Sequence, residues 1–352
     1  MLDITRSLDN ALTKQGWIFA DRWSRIGHPY EWVDGDKTPA MYKEPGSLAV
    51  VQYLSMFYEE YPALDEIKTS DYDEMGEYLE NEFRRILMNF APFMDSQNSA
   101  VFQHYVKCMA QRRLQDYSFC KKFCKDLPSA VKHLDYGPGL GSHAVYSLKG
   151  FNSTYYGTDA SPISYSVQRQ VFRTLLKGSP GYLDTIDCEN FCLPENAIRQ
   201  ELNHQDKYRV KHFPSWHLPL LSDGTCDLIT ATWMLNEITP AGILWLLSHA
   251  TRVLKKGGYF YIRDSRNLKP SRHQINYDNW LIELGFECVK ELKVVNRVDM
   301  HGVPRVYRNV KGEKVSFDEL ADRCLGKFLL PALGAGYAQD LTPVGGVLSN
   351  KK

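Results

Sequence analysis

The sequence lacks three features, and each absence excludes a class of protein. No apolar run approaches the ~20 residues that a membrane-spanning helix needs, so no integral membrane segment is expected. The 42 basic and 42 acidic residues cancel, so no overall charge attracts a nucleic acid or a membrane surface. None of the eight cysteines forms a C-x-x-C pair, and His and Cys are not clustered at metal-ligand spacing. With no signal peptide in view, we expect free thiols, no bound metal and a cytoplasmic location; the oligomeric state stays open.

The most informative stretch that is present spans residues 131–148. Residues 132–136 show the alternating pattern of side chains that is typical of a strand. The stretch Asp135-Tyr-Gly-Pro-Gly-Leu-Gly141 ends this strand in a glycine turn, and an amphipathic segment with helical spacing comes next. Glycine permits a tight turn and a close approach of the backbone to a ligand, and a helix start favours anionic groups. This pattern indicates a site for a nucleotide-like ligand. Dinucleotide-binding loops read G-x-G-x-x-G, and Ser142 stands at their last glycine, which disfavours a nicotinamide-dependent oxidoreductase.

Strand–helix alternation begins at residue 131 and predicts an α/β fold. We expect a doubly wound, mostly parallel, seven-stranded Rossmann-like sheet with an antiparallel last strand, preceded by a mainly α-helical extension. The predicted domains are an extension over 1–128, a ligand-binding domain over 129–312, and a helix with a loose tail over 313–352. In the extension, helices are expected over 71–94 and 99–127, the second with one apolar face: Val101, Tyr105, Met109 and Leu114.

Further strands are predicted at 153–159, 208–213, 226–232 and 259–264, with a hairpin of 286–295 and 303–310. Residues 178–206 are expected to form an insertion that is helical in its second half, and Lys255-Lys-Gly-Gly258 is expected to be a turn. The second strand ends on Asp159, about 20 positions beyond the glycine turn. An acidic residue at that separation can reach the ribose hydroxyls of a ligand bound at the turn.

The stretches 134–141, 156–159, 226–230 and 252–260, in that order, resemble the motifs of class I S-adenosylmethionine-dependent methyltransferases. The resemblance covers 131–310. The length and the helical extension are similar to sugar O-methyltransferases of bacterial polysaccharide loci. The resemblance implies S-adenosylmethionine as the cofactor, at positions that are, in chain order, Asp135, Gly137, Gly139, Gly141, Ser142, His143, Asp159, Ser215, Trp216 and Trp233.

Each position carries an implied role. The glycines would pass under the methionine portion of the cofactor, Asp135 would meet its amino end directly or through water, and Asp159 would accept from the ribose hydroxyls. Ser215 and Trp216 would border the adenine, although the acidic residue that family members often place there is absent. Trp233 would flank the reactive end or, alternatively, serve as a core aromatic residue. The resemblance implies that His143 supports the cofactor-binding loop rather than taking part in catalysis.

Methylation of a hydroxyl benefits from a base that removes its proton, and ligands of parallel sheets bind beyond the carboxyl ends of the strands. His273 is the predicted base, and Glu237 or Asp264 would orient the acceptor. Alternatively, Glu237 caps the following helix and Asp264 pairs with Arg263 or Arg266. Glu237 and Asp264 could also hold Mg²⁺, but the Asp-Asn pair typical of such sites is not reproduced, since Ser265 follows Asp264.

The expected acceptor is a sugar hydroxyl or another small molecule. Aromatic faces stack on sugar rings, so Trp23, Tyr30 and Trp32 are the predicted contacts, with Arg25 and His28 fixing hydroxyls. Two alternatives remain open: a methyltransferase for another small-molecule O- or N-acceptor, and a non-catalytic module of the same fold. A nucleic-acid substrate is not expected, because no basic stripe is evident.

Overall fold

The computed structural model describes residues 67–90, 100–159, 162–177, 181–190, 193–204, 207–235, 240–264, 277–292 and 302–324. The strands are β1 (Lys132–Tyr136), β2 (Thr154–Asp159), β3 (Tyr182–Asp184), β4 (Val210–Pro214), β5 (Cys226–Thr232), β6 (Leu254–Asp264), β7 (Phe286–Glu291) and β8 (Val303–Asn309). The helices are α1 (Asp73–Phe90), α2 (Ala100–Phe123), α3 (His143–Gly150), α4 (Pro162–Leu175), α5 (Thr185–Asn190), α6 (Glu195–Asn203), α7 (Pro240–Val253), α8 (Tyr277–Glu283) and α9 (Phe317–Cys324). Two 3₁₀ helices span Thr69–Tyr72 and Ser215–Leu220.

All eight strands belong to one sheet, in the order β3-β4-β2-β1-β5-β6-β8-β7. The strands from β3 to β6 in this order pair in parallel, and β8 runs antiparallel to both β6 and β7. The predicted doubly wound, mostly parallel sheet with an antiparallel last strand is therefore confirmed, but it has eight strands rather than the expected seven, because the short edge strand β3 was not predicted. From β1 the chain first builds outward through β2 and later returns to the other side with β5, so β1 lies at the switch point where ligands bind in such sheets.

Apolar side chains fill both faces of the sheet. One face packs against α6, α7 and α8, with Leu134, Ile229 and Phe260 at its centre. The other face packs against α1 to α4, where Tyr155 and Tyr261 lie at less than one per cent exposure. The strands β1, β2 and β5 are buried along nearly their whole length, as expected for parallel strands that are covered on both faces.

Helices α1 and α2 belong to the layer that covers the sheet. Phe83 of α1 and Phe119 of α2 share one hydrophobic cluster with Val145 of α3 and Tyr155 of β2. The boundary predicted at 128/129 stays a prediction, but the described part of the extension shares its core with the sheet. Within the described residues, no helix is both long and apolar enough to cross a membrane.

Three local predictions differ from the structure. The insertion over 178–206 contains the parallel edge strand β3 as well as helices. This strand was not predicted, because a segment of three residues is too short to show the periodicity of a strand. The expected turn over 255–258 lies inside β6, which begins at Leu254 beside Cys226 and accommodates a register shift. In α2 the predicted apolar face is incomplete, because Val101 is 49% exposed.

Candidate functional site

The glycine turn follows β1 and lies between the carboxyl ends of β2 and β5. Gly137, Gly139 and Gly141 have φ of 59°, 57° and 71°, a left-handed conformation that side chains rarely adopt. The turn is tied to β2 because the Gly137 N–H donates to the Thr158 carbonyl at 2.9 Å. A Cβ on Gly141 would lie 2.6 Å from the Phe172 ring. The alternating glycines are therefore required by backbone conformation and, at Gly141, also by packing.

Asp135 lies directly beneath this turn and is fully buried. Its carboxylate accepts from Thr230 Oγ1 at 2.5 Å, from the Tyr155 hydroxyl at 2.5 Å and from His143 Nδ1 at 2.8 Å. Burial by itself raises the pKa of Asp135, but His143 and the donated hydrogen bonds outweigh it, and the net shift is downward. The carboxylate is therefore ionised, and it joins three elements to β1 at the base of the turn.

His143, the first residue of α3, connects the turn to α2. Its Nδ1 donates to Asp135, and its Nε2 contacts the Arg113 guanidinium and lies 3.4 Å from Asp116 Oδ2. Asp116 also accepts from the Tyr261 hydroxyl. His143 is buried, and its role in supporting the loop stays a prediction.

Asp116 is the centre of this buried ionic cluster. Its carboxylate accepts from Arg113 at 2.8 Å and from Arg263 at 2.6 Å. Burial raises the pKa of Asp116, but the two guanidinium groups reverse the effect and hold the pKa far below its usual range. The cluster fastens α2 to the carboxyl end of β6, next to the site.

Asp159 is the last residue of β2, and one side chain forms hydrogen bonds both to it and to the glycine turn. The Gln168 side-chain amide on α4 donates to Asp159 Oδ2 at 2.6 Å and to the Gly139 carbonyl at 2.8 Å. Gln168 is fully buried, whereas Asp159 keeps 8% of its surface exposed. The structure thus brings the predicted ribose-binding carboxylate and the glycine turn together.

Ser215 and Trp216 begin the 3₁₀ helix immediately after β4. In the sheet, Pro214 pairs with Asp159, so these two residues lie at the same edge as the carboxylate. Both are partly exposed. The Trp216 indole N–H is a buried atom without a hydrogen-bond partner among the described residues. A buried indole N–H usually finds an acceptor, so this unpaired donor is an exception among the described residues.

Trp233 follows β5 in a strained conformation. Its φ is 58°, which is an outlier for a bulky side chain, and its N–H donates to the Arg263 carbonyl at 2.9 Å. Backbone strain of this kind clusters at functional sites. The next residue, Met234, packs on the glycine turn: a Cβ on Gly137 would lie 2.7 Å from Met234 Cγ. The segment after β5 therefore borders the turn.

Of the predicted catalytic residues, only Asp264 lies within the described residues. It is fully buried, and its Oδ2 accepts from the Leu235 N–H at 3.2 Å, which ties it to the segment after β5. Its expected partner Arg263 lies on the opposite face of β6 and pairs with Asp116. Glu237 and His273 lie outside the described residues, as do the aromatic residues predicted for the acceptor.

The described residues form no group of three or more His, Cys, Asp or Glu side chains that could hold a metal ion. Glu237 lies outside these residues, so the Mg²⁺ alternative through Glu237 and Asp264 stays open.

Several residues of the site carry no sequence signal. Thr230 and Tyr155 read as ordinary strand residues, and Asp116 reads as a polar position in a helix. Gln168 reads as a helix residue in the same way. Their roles depend on partners that are distant in the chain, such as Asp135 and Thr230, which the pairing of β1 with β5 brings together.

The fold and the site define a class of protein. The chain is an α/β protein whose doubly wound sheet carries a glycine turn and a facing carboxylate at its switch point, the arrangement of a nucleotide-type ligand site. No protein-family model and no curated protein matches the sequence.

Among solved structures, the chain is similar to methyltransferases. A SAM-dependent methyltransferase from Aquifex aeolicus is 15% identical, with a TM-score of 0.36 over 55% of this chain and 90% of that chain. Geranyl diphosphate C-methyltransferase from Streptomyces coelicolor A3(2), in complex with Mg²⁺, geranyl-S-thiolodiphosphate and S-adenosyl-L-homocysteine, is 13% identical, with a TM-score of 0.39 over 68% and 97%. Phosphoethanolamine N-methyltransferase 1 from Haemonchus contortus, in complex with phosphoethanolamine and S-adenosylhomocysteine, is 14% identical, with a TM-score of 0.36 over 64% and 55%. At such identities and TM-scores, the fold assignment rests on the strand order and register of this chain.

Proposed function

We propose that this protein is an S-adenosylmethionine-dependent methyltransferase. One observation carries the proposal: the Gln168 amide joins the carbonyl of Gly139 to the carboxylate of Asp159. A ligand that spans these two points would place a compact portion against the glycine turn and hydrogen-bond donors at the carboxylate, and the two hydroxyls of a ribose are such donors. S-adenosylmethionine has both, and its adenine would extend toward Ser215 and Trp216.

The residues present fit this cofactor. Gly137, Gly139 and Gly141 leave the turn without side chains, and the exposed part of Asp159 can accept from hydroxyls. Because Asp135 is fully buried and already accepts from three side chains, its proposed part is to hold the turn in shape, with water as the link to the cofactor's amino end. Ser142 and His143, both buried, would complete the loop.

The bound cofactor supplies a methyl group on a sulfonium sulfur, which is already a good leaving group. The task of the protein is then to position the acceptor, exclude water and remove the acceptor's proton. Trp233 and Met234, held by the Arg263 carbonyl and by packing on Gly137, would form the wall beside the reacting atoms.

For the acceptor we propose a sugar hydroxyl, or a hydroxyl of a sugar-containing molecule. His273 would accept its proton, and Glu237 would orient it. Asp264 would contribute by holding the segment after β5 through the Leu235 N–H. The aromatic residues Trp23, Tyr30 and Trp32, with Arg25 and His28, would supply the sugar-binding surface, as the composition of that segment favours.

Calorimetry with the purified chain tests the cofactor. We expect micromolar binding of S-adenosylmethionine and S-adenosylhomocysteine and no binding of NAD. Asp159→Ala should weaken binding by about 1–3 kcal/mol, since hydrogen bonds to the charged carboxylate are lost. Heat from NAD alone would reject the assignment in favour of a dinucleotide enzyme.

Turnover on the same samples tests the acceptor. We expect methyl transfer from labelled cofactor to hydroxyls of cell polysaccharide or nucleotide sugars, detected by mass spectrometry. His273→Ala should lower turnover by about 10²–10⁴-fold and leave cofactor affinity unchanged. Full activity of that variant would exclude His273 as the base. Binding of the cofactor without transfer to any hydroxyl would favour a different acceptor or a non-catalytic module.

A further inference from the structure

Gln168 is a fully buried polar side chain that the proposed chemistry does not itself require. It lies in α4, where its side-chain amide has three partners: Asp159 Oδ2 at 2.6 Å, the Gly139 carbonyl at 2.8 Å and His212 Nε2 at 2.9 Å. All the hydrogen-bonding atoms of this amide are therefore used. A buried amide with complete partners rigidifies its surroundings.

The chemistry of the partners determines the orientation of the amide. Asp159 and the Gly139 carbonyl can only accept, so the Gln168 nitrogen faces both of them and its oxygen faces His212. His212 must then donate through Nε2. The pKa of His212 is held well below its usual value, first by burial and then by Arg169, so the ring is neutral and its Nδ1 accepts.

The other end of the chain of hydrogen bonds lies at the edge of the sheet. The Tyr182 hydroxyl of β3 lies 3.0 Å from His212 Nδ1 and 3.2 Å from Asp184 Oδ2, so two acceptors share its one proton. The His212 ring stacks on Tyr165 with centroids 3.6 Å apart, which fixes its plane. The Tyr165 hydroxyl in turn donates to Asp184 at 2.8 Å. The stacking on Tyr165 and the contact with Tyr182 thus hold the His212 ring in the position from which it meets Gln168.

We propose that Gln168 is the residue that positions the Asp159 carboxylate for a ribose diol, and that His212 fixes Gln168 for this task. The inference rests on the proposed function, because it assigns a ribose to Asp159. Because one amide holds both Asp159 Oδ2 and the Gly139 carbonyl, the carboxylate is kept in place relative to the glycine turn. Gln168 acts through Asp159 and is a positioning residue.

The test compares Gln168→Met with wild type on two ligands. Methionine has a similar length and removes both donors. S-adenosylhomocysteine carries the diol, and its 2′,3′-dideoxy analogue lacks it. We expect Gln168→Met to weaken binding of S-adenosylhomocysteine about tenfold, and binding of the dideoxy analogue less than about twofold. In an Asp159→Ala background, Gln168→Met should have no further effect, because the two residues act as one unit.

Val171→Ala is the matched control. Val171 is a buried residue of α4 that belongs to the hydrophobic cluster and not to the chain of hydrogen bonds. This variant should lower the melting temperature through its cavity, yet keep the wild-type preference for the diol. If Gln168→Met weakens both ligands equally, or weakens neither, Gln168 is a structural residue and the inference is wrong.

A ligand-free measurement separates this inference from the proposed function. In protein labelled with ¹⁵N-glutamine, the two side-chain amide protons of Gln168 should exchange slowly, since both are donated. Asp159→Ala should release one of them and accelerate its exchange. Unchanged exchange would reject the positioning role even if the cofactor binds. Wild-type protein that binds neither S-adenosylmethionine nor S-adenosylhomocysteine, but shows the release, would reject the proposed function and retain the link between Gln168 and Asp159.

Discussion

At the scale of single residues, Gly139 joins a left-handed backbone conformation to a contact with the side chain that also holds Asp159. Its φ is 57°, and its carbonyl accepts from Gln168. A side chain there costs about 1–2 kcal/mol of strain and intrudes on the proposed ligand path. We expect Gly139→Ala to abolish binding of S-adenosylhomocysteine in calorimetry while the protein stays folded.

A second glycine provides the control for that strain. Gly224 has a φ of 59°, and a Cβ there would meet no atom within 4 Å. Gly224→Ala should therefore lower the melting temperature by a similar amount and leave ligand affinity unchanged. Equal affinity in the two variants would place the ligand away from the glycine turn.

His133 supplies a pH-dependent contribution to stability. Burial lowers the pKa of His133 to about 3, and its two ring nitrogens bond to Ser147 and Thr230. In the unfolded chain a histidine takes up a proton as the pH falls through about 6.5, whereas the folded protein does not until about 3. The unfolded state therefore binds more protons in this window, and the free energy of unfolding falls as the pH falls.

We expect His133→Gln to reduce this slope by about 1.4 kcal/mol per pH unit below 6.5. Urea denaturation at about pH 5 and about pH 7 measures it, even though the substitution also lowers stability at both values. His249, whose pKa burial and Arg252 also lower to about 3, should show the same direction in His249→Gln. A slope unchanged from wild type in His133→Gln would mean that the imidazole is protonated in the folded protein.

At the scale of elements, the docking of α2 on the sheet depends on an ionic contact. Asp116 of α2 neutralises Arg113 and Arg263, and all three side chains are buried. Asp116→Ala leaves both guanidinium groups without this carboxylate, and removing one partner of a buried pair typically costs about 3–5 kcal/mol. We expect that loss in urea denaturation.

The matched control for this loss is a surface aspartate. Asp126 pairs with Arg308 at 2.9 Å, with side chains 62% and 40% exposed. Asp126→Ala should cost less than about 1 kcal/mol, because water screens the pair. Comparable losses in the two variants would show that α2 is held by its apolar contacts alone.

At the scale of the whole molecule, the helices before residue 129 complete the hydrophobic core. Phe83, Phe102 and Phe119 pack in the cluster that also contains Tyr155 and Tyr261 of the sheet. A chain that begins at residue 129 would expose this face to water, so we expect it to be insoluble or unfolded. A chain that begins at residue 67 keeps these contacts and should fold, as judged by a cooperative melting transition. Cooperative folding of the shorter chain would mean that the extension is an independent unit.

The sequence predicted the parts of the site that local chemistry specifies. A strand that ends on an acid, three alternating glycines and a second strand that ends on Asp159 all follow from period and turn chemistry. The structure places them at the switch point of the sheet. The glycine turn can be predicted from the sequence because Gly137, Gly139 and Gly141 have a positive φ, which only glycine adopts without strain.

Residues whose roles depend on distant partners were not predictable in this way. Strand β3 is too short to show the alternation of side chains that identifies a strand. Helix α2 is buried on more sides than the spacing of its apolar residues predicts, because α1 and the sheet enclose it. Gln168 and Asp116 are polar positions in helices, where the usual expectation is exposure to water. Only tertiary contact reveals the acceptors and donors that surround them.

By itself, the sequence determined the fold class, the positions of the principal strands along the chain and the location of the glycine turn, because residue periodicity and turn chemistry reveal them locally. Only the tertiary structure decided that Asp135 is a buried anchor, that Arg263 pairs with Asp116 rather than with its neighbour Asp264, and that Gln168 joins Asp159 to the turn. The physical reason is that a buried polar group must find its partner within hydrogen-bond distance, and parallel pairing brings that partner from any distance along the chain.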